Sequence, residues 1–247
     1  MRMIISPAKK MNADTDSLDF RQLPGWLAET EQLLKRLQGM SYDQLKSLWK
    51  CNDAIAQLNN ERIRHMKLTE RLTPAIYSYE GIQYQYMGPG VFSKKELDYL
   101  EEHLRILSGF YGMLRPFDGV VPYRLEMQAK LAGPGFRSLY EFWGRRLADA
   151  LFSETDCIVN LASKEYSKCI TPYLSDSIRF VTCVFGQLIG GKVVEKGTLV
   201  KMARGEMVRY ITERQVVSVE EIKLFDRMEF KYNEMLSDEH TYVFVQK

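Results

Sequence analysis

The chain has 247 residues, 45% of them hydrophobic and 27% charged, enough to bury one substantial core and unlike a disordered or fibrous composition. Lys and Arg total 34 against 32 Asp and Glu, so a formal net charge of +2 excludes naming a nucleic-acid binder from bulk charge. Four dispersed cysteines, an N-terminus (MRMIISPAKKM) without the apolar length of a signal peptide, and no membrane-length apolar run point to a soluble cytoplasmic protein with reduced thiols.

Met1 to Ile5 reads as a short buried strand stopped by Ser6 and Pro7, with Lys9 and Lys10 beyond its carboxyl end, where functional groups often gather. Helices follow. Leu27, Leu34 and Leu37 share a face, Ser41 and Gln44 form a capping box, and Ile55, Leu58, Arg62 and Met66 keep helical spacing. Ala75 to Met87 alternates tyrosines with small or polar residues around Gly81, which predicts a strand pair. Ser93 with Glu96 caps a helix that runs into Leu107-Ser108-Gly109-Phe110-Tyr111-Gly112, and Ser138 with Glu141 caps another that carries Arg145 and Arg146. Ile158–Leu161 and Ile178–Phe185 read as buried strands, with Cys157 and Cys183 as packing residues. No linker or repeat divides the chain, so interleaved helices and strands predict one mixed α/β domain over 1–247.

Charge is segregated. Residues 104 to 146 hold seven Lys or Arg against three acids, whereas Glu213 to His240 is acidic. Within the basic block Arg105, Arg115 and Arg124 supply forked donors suited to phosphate or carboxylate, beside the rings of Phe110, Tyr111, Phe117 and Tyr123. Gly109 and Gly112 bracket a turn whose free amides could form an anion nest; a DNA-binding hairpin between helices and a plain helix stop into a strand would both use these residues. The segment 199–214 is an amphipathic helix with Lys201, Arg204, Gly205 and Arg209 inside an arc of roughly 140° and Leu199, Ala203, Met207, Tyr210 and Ile211 opposite. It reads as a solvated face or as a site whose central glycine admits a backbone or a phosphate. In NLASKEY, Ser163 is a helix N-cap that could hold phosphate beside Lys164. Glu126 and Glu165 are the acids best placed among basic motifs, either to orient arginines or to act as general acid and base.

Ser6 to Lys9 spells S-x-x-K, but its companion motifs SDN and KTG are missing, so Lys9 is read as an anion-binding residue instead. His65, His103 and His240 are scattered, and no metal centre or cofactor is expected.

SPAK (6–9), LSGFYGMLRPFD (107–118), PYRLEM (122–127), LYEFWG (139–144), NLASKEY (160–166) and KMARGEMVRY (201–210) together resemble the bacterial peroxide stress resistance protein YaaA family in order and spacing. The chain departs from the family pattern at Lys10, commonly threonine there, and in the loosely matching tail after Phe225. The resemblance implies a cytosolic protein that limits free iron and oxidative DNA damage under peroxide stress. It also implies a single domain of unusual, cantaloupe-like topology with a helix-hairpin-helix element and a basic cleft for DNA, and we place that hairpin at Gly109 to Gly112. The expected cleft collects Lys9, Arg105, Gly109, Gly112, Arg115, Arg124, Ser163, Lys164, Lys201, Arg204 and Arg209. Its expected partner is double-stranded DNA without sequence specificity. The alternative is an enzyme acting on a phosphorylated small molecule, a nucleotide or a damaged base, with Glu126 or Glu165 moving the proton. A deep, narrow pocket around Arg124 and Glu126 would favour the enzyme, and a long basic groove as wide as a duplex would favour DNA.

Overall fold

A computed structural model describes residues 1–15 and 19–246. The short apolar run Arg2–Ile5 forms β1, at the middle of an eight-stranded sheet. In chain order the sheet continues with β2 (Leu104–Ser108), β3 (Gly112–Leu114), β4 (Cys157–Leu161), β5 (Arg179–Ile189), β6 (Lys192–Val194), β7 (Phe230–Tyr232) and β8 (Thr241–Gln246). The spatial order is β7-β8-β5-β4-β1-β2-β3, with β6 folded back on β5. Five strands, β8, β5, β4, β1 and β2, run parallel, and β3, β6 and β7 pair antiparallel at the margins. β1, β2 and β4 are buried along nearly their whole length, as parallel strands covered on both faces are, and the helix expected from Ser93 to Leu107 ends at His103, where the chain becomes β2.

The helices are α1 (Leu27–Gln38), α2 (Tyr42–Trp49), α3 (Asp53–His65), α4 (Ala75–Ser78), α5 (Ile82–Met87), α6 (Lys94–His103), α7 (Leu139–Trp143), α8 (Arg146–Glu154), α9 (Lys164–Ser167) and α10 (Gly197–Arg214). The capping boxes at Ser41 and Ser93 form as expected. The helix expected after Ser138 is instead two, α7 and α8, because Gly144 turns the chain at φ +52°. No helix is long and apolar enough to cross a membrane among the described residues.

Two sequence expectations are corrected. Ala75 to Met87 is not a strand pair but α4 and α5 around a two-residue extended piece, Tyr79–Glu80, that pairs with Lys10–Met11. Gln83, Tyr84 and Met87 are buried at helical spacing, so tertiary packing overrides the alternation of tyrosines. The turn at Gly109 to Gly112 joins the antiparallel strands β2 and β3, and α6 runs directly into β2. Ser108 Oγ accepts the amides of Phe110 (3.2 Å) and Tyr111 (2.9 Å), so two N–H groups of the expected anion nest are already occupied. Gly112 is needed at φ +75°, where a Cβ would lie 2.8 Å from the Trp143 ring.

Arg105, on β2, is 3% exposed, and its Nη2 meets Glu154 at 2.5 Å; Arg2 Nε reaches the same carboxylate at 3.2 Å. Glu154→Ala strands a buried guanidinium and should cost about 3 kcal/mol. Thermal denaturation should show a loss of roughly 6 to 12 °C; an unchanged midpoint would refute the clamp.

Asp118 is buried, accepting hydrogen bonds from Gln22 Nε2 (2.7 Å) and the Arg115 amide (2.9 Å), and burial pushes its carboxyl from 3.8 up to about 6. An acid whose folded pKa lies above its unfolded one holds its proton more tightly when folded, so this contribution to stability falls as pH rises through that window. Denaturant titrations of Asp118→Asn should lack this decline between about pH 4 and 6, a difference of about 3 kcal/mol.

Candidate anion-binding site

Because β1 and β4 are parallel with Ile5 beside Leu161, Ser6 and Ser163 leave the sheet together at its carboxyl edge. Such edges are where α/β sheets place ligands. The Ser163 amide donates to Ser6 Oγ at 2.9 Å, and Ser6 Oγ donates onward to Ser163 Oγ at 3.3 Å. Above this junction lies a cavity of about 420 Å³ walled by four pieces of chain: residues 6–10, residues 80–84 leading into α5, the loop 123–126, and the side chains of Lys201 and Arg204 from α10. Glu165 and Tyr166, at the start of α9, complete it.

Each wall has a local reason to be there. Gly109 lets the loop 123–126 lie against the β2–β3 turn, since a Cβ at 109 would stand 2.6 Å from the Leu125 carbonyl oxygen. Gly205 plays the same part on α10, where a Cβ would overlap the Gln83 carbonyl and lie 2.9 Å from Tyr86 Cβ. The glycine at the centre of the basic stripe thus admits a backbone, that of α5. Tyr79 and Tyr123 touch through their hydroxyls at 2.8 Å, Ser108 Oγ lies 2.6 Å from the Tyr123 hydroxyl, and Tyr84 donates to the Ser6 carbonyl at 3.0 Å. Burial holds the Tyr123 phenol up to about 12 and drives those of Tyr84 and Tyr166 well above 10.0, so all three stay neutral.

The charges divide into satisfied and unsatisfied. Lys9 Nζ meets Glu126 at 2.8 Å and Arg124 Nη2 meets its other oxygen at 3.2 Å; Lys10 pairs with Glu80 at 2.8 Å. Arg204 has no hydrogen bond or ion pair among the described residues, and its Nε is buried and unpartnered. Burial lowers the basicity of its guanidinium. Glu165 accepts the Gln128 amide at 3.1 Å, and burial, with Glu126 nearby, raises its carboxyl above the ordinary range. A second cavity of about 360 Å³ adjoins the first and shares Ser163, Lys201 and Arg204 with it; Lys164 lines only this one.

The structure therefore brings together Lys9, Arg124, Glu126, Ser163, Glu165, Lys201 and Arg204, with Lys164 next door. It does not bring in four others. Arg105 and Arg115 turn to Glu154, Arg209 pairs with Glu213 at 2.7 Å, and Gly112 packs under Trp143. Gly109 contributes only by seating the loop. The Ser6–Lys9 pair is not a nucleophile and base, since Lys9 is drawn to Glu126. Sequence reasoning did not single out Gln83 and Tyr84 as site residues, because a tyrosine-rich stretch reads as packing until the fold brings it beside Ser6 and Arg204.

A family profile described as peroxide stress protein YaaA matches residues 1–236. Among similar proteins, a UPF0246 protein of Lachnoclostridium phytofermentans is 55% identical over 100% of this chain and 96% of its own length. UPF0246 proteins of Desulfitobacterium hafniense and Pediococcus pentosaceus are 54% and 50% identical, each over 100% of this chain and 98% of its own.

Proposed function

The chain belongs to the peroxide stress protein YaaA family, and we propose that within a peroxide stress role its cavity binds a small organic anion and moves a proton on it. The observation that carries this reading is Arg204, an unpaired guanidinium lining a cavity of about 420 Å³. A guanidinium whose Nε is buried without a hydrogen-bond partner is costly unless a ligand supplies one, and this volume falls in the range of small-molecule sites. Glu126, held by Lys9 and Arg124, serves as the anchor. Glu165, whose carboxyl favours its proton more than usual, is the general acid or base.

Contact with duplex DNA, implied by the resemblance, would draw on exposed cations outside both cavities, such as Arg115. The cleft set expected to hold the duplex is largely ion-paired or scattered, which ranks this reading second. Limitation of free iron and of oxidative DNA damage would then follow from the reaction on the anion.

A thermal-shift screen of small phosphates and carboxylates should find compounds that stabilise the wild-type chain by several degrees. On such a compound Glu165→Gln should leave Kd within about threefold while cutting turnover by about 10²- to 10⁴-fold. A chain that no small anion stabilises, yet that binds duplex DNA tightly, would overturn the proposal.

A further inference from the structure

We infer that the anion is a dianionic phosphate monoester of a flat heterocycle, of the size of a nucleoside monophosphate, with its phosphate at the wall shared by the two cavities and its ring against the tyrosines of the larger one. This rests on the small-anion reading above and names its ligand class.

The charge inventory points to a dianion. Once Lys10 is matched with Glu80, and Lys9 and Arg124 with Glu126, three cations around the shared wall remain without an ion-pair partner among the described residues: Lys164, Lys201 and Arg204. The acids lining the same walls are Glu165, whose carboxyl burial raises above the ordinary range, and Glu195, which is exposed like Lys164 and Lys201. Three cations around one wall favour the more highly charged anion, and a phosphate monoester brings roughly two negative charges near neutral pH where a carboxylate brings one.

Shape agrees. Arg204, Lys201 and Ser163 line both cavities, so a group bound there meets donors from two sides. A tetrahedral phosphate has terminal oxygens for both, whereas a planar carboxylate points one way. Ser163 Oγ accepts from Ser6, which leaves the Ser163 hydroxyl proton free to donate to the anion.

The remainder of the larger cavity suits a flat ring. Tyr84 and Tyr123 line this space with their hydroxyls committed to internal partners and are each 4% exposed, so they offer a ligand a narrow apolar contact rather than a hydrogen bond. Glu126 and Glu165 line the same space and can accept a heterocycle's N–H groups.

The test is calorimetric titration of the whole chain at fixed ionic strength with purine and pyrimidine nucleoside 5′-monophosphates, the matching nucleosides, inorganic phosphate and benzoate. At least one monophosphate should bind about 100-fold more tightly than its nucleoside and about 10-fold more tightly than inorganic phosphate. Arg204→Met should weaken it about 100-fold, and Lys201→Met or Lys164→Met about 10-fold each, in variants that still unfold cooperatively. Inorganic phosphate binding as tightly as every ester would overturn the ring assignment. Binding of benzoate with no response to monophosphates would overturn the phosphate assignment and leave the small-anion reading standing. If the folded chain gave no heat with any of these anions and no small anion stabilised it in a thermal-shift screen, both would fall.

Discussion

Arg204→Met should raise the melting temperature of the ligand-free protein and weaken its binding of small anions about 100-fold. The two effects have one origin. Arg204 has no partner among the described residues, so the folded chain carries the desolvation penalty of a guanidinium without the compensating ion pair. Methionine fills a similar length with no charge to desolvate, and such replacements of buried charge are neutral or stabilising by about 1 to 4 kcal/mol. Arg204 keeps some solvent contact, so the lower half of that range, about 1 to 2 kcal/mol, is expected, or roughly 2 to 8 °C by scanning calorimetry. Binding loses a charge-assisted, forked donor, about 3 kcal/mol or about 100-fold in Kd. A variant that melts earlier than wild type would make Arg204 a structural residue and remove the basis of the proposed site. The combination of gained stability and lost binding is the signature of a residue kept for function.

Gly205→Ala should destabilise the chain by about 2 to 3 kcal/mol, against the direction that helix propensity alone dictates. On an exposed helix the same change would gain about 1 kcal/mol. Here α10 and α5 touch backbone to backbone, and the new methyl would overlap the Gln83 carbonyl while standing 3.0 Å from the Met87 amide. Backbone cannot rotate out of the way as a side-chain end can, so the helices must separate. The midpoint should fall by roughly 4 to 12 °C. Because Gln83 and Tyr84 on α5 line the same cavity as Arg204, anion affinity should fall as well. A midpoint at or above wild type would show that the two helices have room to spare.

Local chemistry was legible wherever one short segment determines the outcome. The apolar run at Met1 to Ile5 is buried because its composition allows little else, and the capping boxes at Ser41 and Ser93 form because donor and acceptor lie three residues apart. Lys9, Arg124, Glu126, Ser163, Glu165, Lys201 and Arg204 were recognisable as chemistry-bearing because charged residues beside strand ends and glycines have few packing roles. The tyrosine-rich stretch misled because alternation around Gly81 satisfies the strand pattern as well as two short helices do, and only contact with α10 decides between them.

Sequence by itself determined the residue types of the site, the family and the mixed α/β class. Only the tertiary structure decided which cations are already spent. Arg105 and Arg204 look alike in sequence, yet one is ion-paired with Glu154 and the other has no ion pair or hydrogen bond among the described residues. The reason is physical: Arg105 and Glu154 lie 49 positions apart, joined by a parallel sheet and the helix that returns beside it. Pairing of charges is set by distance in space, which the chain order does not encode locally. That distribution, rather than the number of arginines, leaves one guanidinium in the wall of the cavity without an ion pair among the described residues.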